Sequence, residues 1–233
     1  MVPSDAPRTH SATADVVLEK VAEVKPKLRG WLHAATTPLA LAAGVVLIVL
    51  SPTLATRVGS AVFAGTALLL FAVSAVYHRG TWSPKVWAIL RRIDHSNIFL
   101  LIAGSYTPFT LILLRGTDRV VLLTLVWTGA VLGVLFRIFW TDAPRWLYVP
   151  IYVAMGWAAI FYADQFADGG STAVIVLVVV GGALYTLGGL VYGLKKPDPF
   201  PSWFGFHEVF HSFVVAAFVC HYVAASIATY QLR

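Results

Sequence analysis

Charged residues and cysteine are both scarce in this chain of 233 residues. Only 12% of the residues are charged and 58% are hydrophobic, whereas soluble domains are usually about 25% charged and about 45–50% apolar. These proportions exclude an ordinary soluble enzyme and a disordered tail. The net charge of +6 includes no block of lysine and arginine, so we expect no nucleic-acid partner. The single cysteine, Cys220, excludes an internal disulfide framework and any metal site built on four thiolates.

Long stretches without charge show where the apolar residues are concentrated. Seven such stretches occur, each at least about 17 residues long, the length that a helix needs to cross roughly 30 Å of hydrocarbon. A transmembrane β-barrel would instead show alternating segments of about ten residues. We therefore predict an all-α integral membrane bundle of seven transmembrane helices. The predicted spans are 31–50, 58–77, 96–114, 120–139, 146–163, 173–192 and 206–228.

Lysine and arginine lie mostly on one side of the predicted bundle. Seven spans place 13 of the 17 cations on the side of the N-terminus, and the other four are Arg57, Arg115, Arg119 and Arg233. Because cytoplasmic loops carry the excess of lysine and arginine, we predict a cytoplasmic N-terminus and an extracellular C-terminus.

Two regions follow from this arrangement. Residues 1–28 are predicted to form a polar cytoplasmic segment, in which the amphipathic stretch 16–24 fits either an interfacial helix or a solvated tail. Residues 29–233 are predicted to form one membrane domain. No short apolar stretch with a cleavage site precedes the first span, so we expect that span to be an uncleaved anchor.

Ionisable side chains lie at the cytoplasmic ends of three predicted spans. His78 ends the second span, and Ser74 lies one turn deeper on the same face. Asp94 begins the third span, and His207 and His211 occupy the first two turns of the seventh. All five side chains are therefore expected in one leaflet at a similar depth. Because ionisable groups inside a membrane are costly, this arrangement indicates a functional site.

The histidine spacing is typical of a metal site. His207 and His211 are four residues apart, so both imidazoles project from one face of a helix. His78 would supply a third imidazole, and three histidines plus a water form the open arrangement of a catalytic zinc site. We predict zinc on these three residues. The alternative, in which each histidine bonds backbone or lipid headgroups at the interface, is favoured for any one of them alone but not for the set.

Asp94 is the candidate base for the metal-bound water, because a carboxylate beside the metal can accept a proton from it. A salt bridge to Arg91 or Arg92, or an N-cap of the third helix, is an alternative and compatible role. Ser74 is predicted to take part by bonding a ligand or orienting His78. The alternative for Ser74 is a hydrogen bond to its own helix.

The segment from His207 to His211 also matches the H-E-x-x-H motif of zinc metalloproteases. Membrane-embedded proteases of that kind take a third ligand from an aspartate on a later helix, and no Asp or Glu follows His211. A protease is therefore disfavoured. Glu208 acts either as a base or as a carboxylate that stabilises the start of its helix. His33 lies at the level of the site without a spaced partner, and His221 is about 15 Å deeper along its helix, too far to share the metal.

Four motifs together resemble the hemolysin III family. They are SAVYH at 74–78, RIDHSNI at 92–98, AGSYTP at 103–108 and HEVFH at 207–211. This family is the bacterial branch of the progestin and adipoQ receptors, in a wider superfamily that includes alkaline ceramidases. From about Leu28 to the C-terminus, the resemblance implies a seven-helix bundle with its N-terminus inside. It also implies zinc on the three histidines and a water near Asp94. The segment RGWLH at 29–33 departs from the family pattern, because it lacks the usual Asn and Thr.

The resemblance implies two leading functions. The first is a zinc-dependent lipid amide or ester hydrolase in membrane lipid homeostasis, in which a zinc-activated water primed by Asp94 attacks the carbonyl. The second is a non-enzymatic, zinc-stabilised protein that senses lipid or adjusts the membrane. Pore formation is disfavoured because no span carries a polar stripe long enough to line an aqueous path. We expect membrane lipids as partners, no obligate protein partner, and a multi-pass location in the cell membrane.

The predicted orientation can be tested by cysteine labelling. In a chain whose Cys220 is replaced by serine, an impermeant maleimide added outside should label a cysteine placed in 164–170. It should not label one placed in 82–91, because that loop carries part of the cationic excess. The opposite labelling pattern would contradict both the orientation and the depth argument for the site.

Overall fold

The computed structural model describes residues 25–233. Within this range there is no strand, and seven helical segments are long and apolar enough to cross a membrane, which confirms the predicted all-α bundle of seven spans. Residues 1–24, including the amphipathic stretch 16–24 and most of the predicted polar segment, lie outside the described residues. The helices are α1 (Trp31–Val49), α2 (Leu54–Arg79), α3 (Pro84–Leu113), α4 (Gly116–Phe139), α5 (Arg145–Gly156), α6 (Ala163–Gly169), α7 (Thr172–Leu194) and α8 (Phe206–Tyr230).

Helix α3 begins well before the predicted span. Its first residue is Pro84, whose fixed φ suits the first helical position, and the Ser83 side chain caps the helix by accepting from the backbone N–H of Val86. The charge-free stretch covers only the later part of this helix, because Lys85, Arg91, Arg92 and Asp94 interrupt its first turns. Asp94 consequently lies inside α3, and the alternative that Asp94 is the N-cap of this helix is wrong.

The fifth span, Arg145–Gly169, is broken near its middle. Helix α5 ends at Gly156, and a short 3₁₀ turn over Ala158–Tyr162 leads into α6. The hydroxyl of Tyr106 in α3 donates to the carbonyl of Gly156 at 2.7 Å and accepts from the N–H of Ala159 at 2.9 Å. A break inside a membrane is tolerated when other residues satisfy the freed backbone groups, as Tyr106 does here.

Helix α3 is the central helix of the bundle and contacts α2, α4, α5, α6 and α8. Small residues bring its neighbours close to it. A Cβ added to Gly59 of α2 would lie 2.9 Å from the Cα of Pro108 in α3. Close backbone approach of this kind is how membrane helices associate where lipid provides no hydrophobic driving force between them.

Tryptophan marks one end of the bundle. Six of the eight tryptophans are exposed at the end that carries the start of α1 and the end of α2. Exposed tryptophan concentrates at the boundary between membrane and water. The end that holds the predicted site therefore lies at a membrane interface. The six residues are Trp31, Trp82, Trp87, Trp140, Trp146 and Trp203.

The contact between α2 and α3 leads to a stability prediction. Gly59→Ala should lower the free energy of unfolding by about 1–3 kcal/mol, because the added methyl group would meet the backbone of Pro108. Gly65→Ala in the same helix is the matched control, since a Cβ there meets nothing within 4 Å. Thermal unfolding of both variants in lipid nanodiscs measures the difference, and equal stability would contradict the packing described here.

Candidate metal centre

Helices α2 and α8 bring three imidazole rings together. His78 lies in the last turn of α2, and His207 and His211 lie in the first two turns of α8. The Nε2 atoms of His78 and His207 are 3.2 Å apart, and one ring nitrogen of each of the three histidines lies within 4.8 Å of the others. The three side chains are buried, with exposures of 8%, 9% and 2%. The structure thus brings the three candidate ligands together.

The donor set fits a metal ion. Zinc binds imidazole nitrogen at about 2.0–2.1 Å, so two ligands of a tetrahedral ion lie about 3.3 Å apart. The separation of 3.2 Å between the Nε2 atoms of His78 and His207 agrees with that geometry. Three imidazoles without a thiolate are a donor set that zinc accepts, and they leave a fourth position open. We call His78, His207 and His211 the histidine cluster.

Helix α3 places Asp94 beside this cluster. Its Oδ2 atom lies 3.8 Å from Nε2 of His78. Arg91 and Arg92 do not pair with Asp94, because both bind side chains of the loop 140–144 instead. The alternative of a salt bridge to either arginine is therefore wrong, and the carboxylate faces the candidate ligands.

An internal cavity extends from the histidine cluster into the bundle. Ser74, Asp94 and His95 line the end near the cluster, and Tyr185 and His221 line the part that lies deeper. Most of the other lining side chains are aliphatic or aromatic. The Ser74 hydroxyl lines the cavity beside Asp94 and donates a hydrogen bond to its carboxylate.

Glu208 has a structural role at the start of α8. One carboxylate oxygen accepts from Nε of Arg29, and the other accepts from the backbone N–H of Gly205 at 2.9 Å. Asp198 accepts from the next N–H, that of Phe206, at 2.8 Å. Two partners hold the buried Glu208 carboxylate. The arrangement favours the helix-start role over the alternative role of a base.

Sequence reasoning missed Arg137 of α4, which is 1% exposed. Its Nη2 lies 2.6 Å from Nδ1 of His95 and also donates to the carbonyl of Thr141 at 3.0 Å. A guanidinium only donates, so Nδ1 of His95 accepts and the ring proton resides on Nε2. The available signal was an arginine inside the predicted span 120–139, where a charged side chain is unusual.

The two remaining candidate histidines have different surroundings. His33 of α1 stacks on His211, with ring centroids 3.8 Å apart and planes 13° apart, a partner that sequence spacing did not reveal. His221 lies deeper in α8, where its Nε2 donates to the carbonyl of Val178 at 3.3 Å. His221 is accordingly outside the histidine cluster.

Comparison with known proteins identifies the family of this chain. The family model described as haemolysin-III related matches residues 21–222, which is most of the chain. The chain belongs to this family. The predicted resemblance is confirmed, and with it a multi-pass protein of the cell membrane.

Three relatives illustrate the range of the haemolysin-III similarity. A hemolysin-3 homolog of Bacillus subtilis (strain 168) is 39% identical over 163 residues, covering 68% of this chain and 73% of the relative. Hemolysin-3 of Bacillus cereus is 32% identical over 186 residues, covering 78% and 82%. The adiponectin receptor protein of Drosophila melanogaster is 26% identical over 189 residues, covering 74% of this chain and 43% of the receptor.

The ligand set of this haemolysin-III protein can be tested by metal analysis. We expect one zinc ion per chain, and loss of most of it in His207→Ala and in His211→Ala, because two remaining imidazoles leave an open, hydrated ion. His221→Ala is the control and should retain the metal, since its ring bonds Val178 outside the cluster. Elemental analysis after dialysis makes the comparison, and equal metal content in all four proteins would reject this ligand set.

Proposed function

We propose that this protein is a zinc-dependent hydrolase of membrane lipid amides or esters. The observation that carries the proposal is the Asp94 carboxylate, which lies 3.8 Å from Nε2 of His78. When bound, zinc would polarise a carbonyl oxygen and lower the pKa of a coordinated water toward about 7. The histidine cluster would hold the ion, and Asp94 would take up a proton beside it.

The surroundings of Asp94 support its role as a general base. No lysine or arginine among residues 25–233 lies within salt-bridge distance of its carboxylate. A base must have an oxygen free to accept a proton, and a carboxylate held by an arginine would be a weaker one. Ser74, one turn before His78, lines the same part of the cavity and can orient a bound group there.

The cavity supports a lipid as the substrate. Its carboxylate and most of its histidines lie beside the histidine cluster, and its deeper walls are mostly aliphatic and aromatic, with Ser105, Thr186 and His221 among them. His221, which lines the deep part, follows His211 by ten residues, or about 15 Å along α8. A lipid would therefore place an ester or amide carbonyl near Asp94 and an acyl chain in the apolar part. Membrane lipids are accordingly the proposed partners.

A second function is favoured by the way the cluster joins the helices. Deep in the bundle, α2 and α8 contact each other where Phe218 packs on Phe63 and Phe71, and at the interface end they face each other through the histidine cluster. An ion held by His78 from α2 and by His207 and His211 from α8 would tie the two helices together. In this second proposal, zinc only stabilises the bundle, and the protein acts on the membrane by binding or sensing lipid without turnover.

Asp94→Asn separates the two proposals. The variant keeps the size of the side chain but removes the base, so a hydrolase should lose turnover by about 10²–10⁴-fold while retaining its zinc. Asp142→Asn is the matched control, because Asp142 lies at the same end of the bundle but is exposed and pairs with Arg91. The assay follows fluorescent ceramides and phospholipids with purified protein in nanodiscs, and zinc is measured on the same samples.

The outcomes of this assay distinguish hydrolysis from the non-enzymatic proposal and test the role of Asp94. A zinc-loaded wild type without turnover of any of these lipids would favour the non-enzymatic proposal. Turnover that survives Asp94→Asn but falls in the histidine variants would remove Asp94 from the mechanism. Turnover lost equally in Asp94→Asn and Asp142→Asn would show a general effect of removing charge at this end of the bundle.

A further inference from the structure

Residues 29–33, which lead into α1 and form its start, supply none of the three candidate ligands, yet they contact the surroundings of each of them. His33 packs on His211, Gly30 lies against His78, and Arg29 binds the residue that follows His207. We infer that residues 29–33 position the three imidazoles for metal binding. The inference rests on the metal centre of the proposed function, but not on hydrolysis.

His33 acts through the face of its ring. The His33 and His211 centroids are 3.8 Å apart and the planes differ by 13°, which is a parallel stack. The opposite side of His33 meets the edge of Phe71, at 5.1 Å and 71°. His33 is 2% exposed, and among the described residues neither of its buried ring nitrogens has a hydrogen-bond partner. Because neither ring nitrogen of His33 forms a hydrogen bond within this part of the chain, its ring acts through its packing contacts.

His211 is the ligand that needs such a restraint. Metal-binding histidines almost always donate their second N–H to a carboxylate, a carbonyl or a water, which fixes the plane of the ring. The Nδ1 atom of His211 is buried and finds no such acceptor among residues 25–233. The stacked ring of His33 restricts the same rotation. Ligation withdraws electron density from the His211 ring, so the electron-rich face of a neutral imidazole suits it.

Gly30 sets the distance between α1 and His78. It caps α1 with φ at 81°, a left-handed conformation that favours glycine. A Cβ at this position would lie 2.8 Å from the Cβ of His78 and 3.2 Å from Cγ of Arg79. Only a residue without a side chain allows α1 to start this close to His78, so the start of the helix restricts the position of that ligand.

Arg29 reaches the third ligand position, that of His207, through Glu208. Its Nε donates to the Glu208 carboxylate, and Glu208 caps the helix that carries His207. The chain just before Arg29 is held to the same region, because the N–H groups of Lys27 and Leu28 each donate at 3.1 Å to carbonyls of the loop before α8. Contacts to all three ligand positions thus come from five consecutive residues.

Substitution of His33 tests whether its ring face positions His211. The measurement is the Kd of the purified protein for Zn²⁺, by competition with a chromophoric chelator in detergent. His33→Ala and His33→Gln should raise this Kd by about 10–100-fold, the effect typical of losing a group that orients a ligand. His33→Phe keeps a flat ring and should stay within about threefold of wild type. A Phe variant as weak as the Ala variant would show that His33 acts through its nitrogens and would overturn the inference.

Gly30 provides an independent arm of the same experiment. Gly30→Ala should raise the Kd for Zn²⁺ at least about tenfold, since the added methyl group displaces α1 from His78. Gly65→Ala, whose Cβ meets nothing within 4 Å, is the matched control and should leave the Kd unchanged. Equal affinities for Zn²⁺ in these two variants would overturn the role of Gly30.

A core variant distinguishes positioning from general stability. Leu47 is fully buried in α1, far along the helix from the cluster, so Leu47→Ala should lower the unfolding temperature without changing the Kd for Zn²⁺. If Leu47→Ala weakens Zn²⁺ binding as much as His33→Ala does, the inference is overturned and the metal centre remains. A wild type that does not bind Zn²⁺ would instead overturn the proposed metal centre together with the inference.

Discussion

Burial of ionisable side chains inside an apolar bundle is the constraint on which the rest of this structure depends. Such a group is tolerated when it is neutral, paired or bound to an ion. Glu208 meets the condition through Arg29 and the N–H of Gly205. Arg137 meets it through His95 and the carbonyl of Thr141. The groups left over at this level are the facing imidazoles of the histidine cluster, Asp94 and the ring of His33. A metal ion and its water would satisfy the cluster and Asp94, whereas His33 packs on His211.

The bundle brings these groups to one level by fixing where helices begin and end. Helix α2 ends just after His78, and α8 begins just before His207, so both ligand positions lie at helix termini beside the interface. Glu208 and the loop residue Asp198 accept from the backbone N–H groups of Gly205 and Phe206 at the start of α8, whose histidines are buried. Because His78 lies at a helix end, a third helix, α1, can start in contact with it at Gly30.

The parts that could be predicted from the sequence are those that depend on one helix at a time. Charge-free stretches predicted seven spans, and the four-residue spacing of His207 and His211 placed both rings on one face. The predicted depth of His78 and Asp94, which matches that of the two histidines, then added these residues of other helices to the candidate site. The first turns of α3 were missed, because they carry charges and a charge-free stretch does not reveal a helix that continues beyond the membrane. Capping chemistry at Ser83 and Pro84 was the signal available for them.

Contacts that depend on how helices rotate against one another could not be predicted. His33 of α1 stacks on His211 of α8. The spacing of residues within either helix does not show that these two rings are in contact. The same holds for Arg137, whose partner His95 lies on a different helix. In each case the sequence showed an unusual polar residue in an apolar span but not its partner. The depth of a polar residue in the membrane identifies it as a candidate, but its partner is known only once the packing of the helices is known.

The position of the site explains how a lipid and a water could meet in one protein. The histidine cluster lies at the end marked by exposed tryptophans, where water, headgroups and acyl carbonyls coexist. The cavity leads from this level into the apolar interior, past Tyr185 and toward His221. A hydrolase of lipids needs both surroundings, because its substrate is soluble in one and its nucleophile in the other. In the proposed hydrolase, Asp94 and His78 would lie at the boundary between them, so a proton would have a short path to the interface while an acyl chain stayed in hydrocarbon.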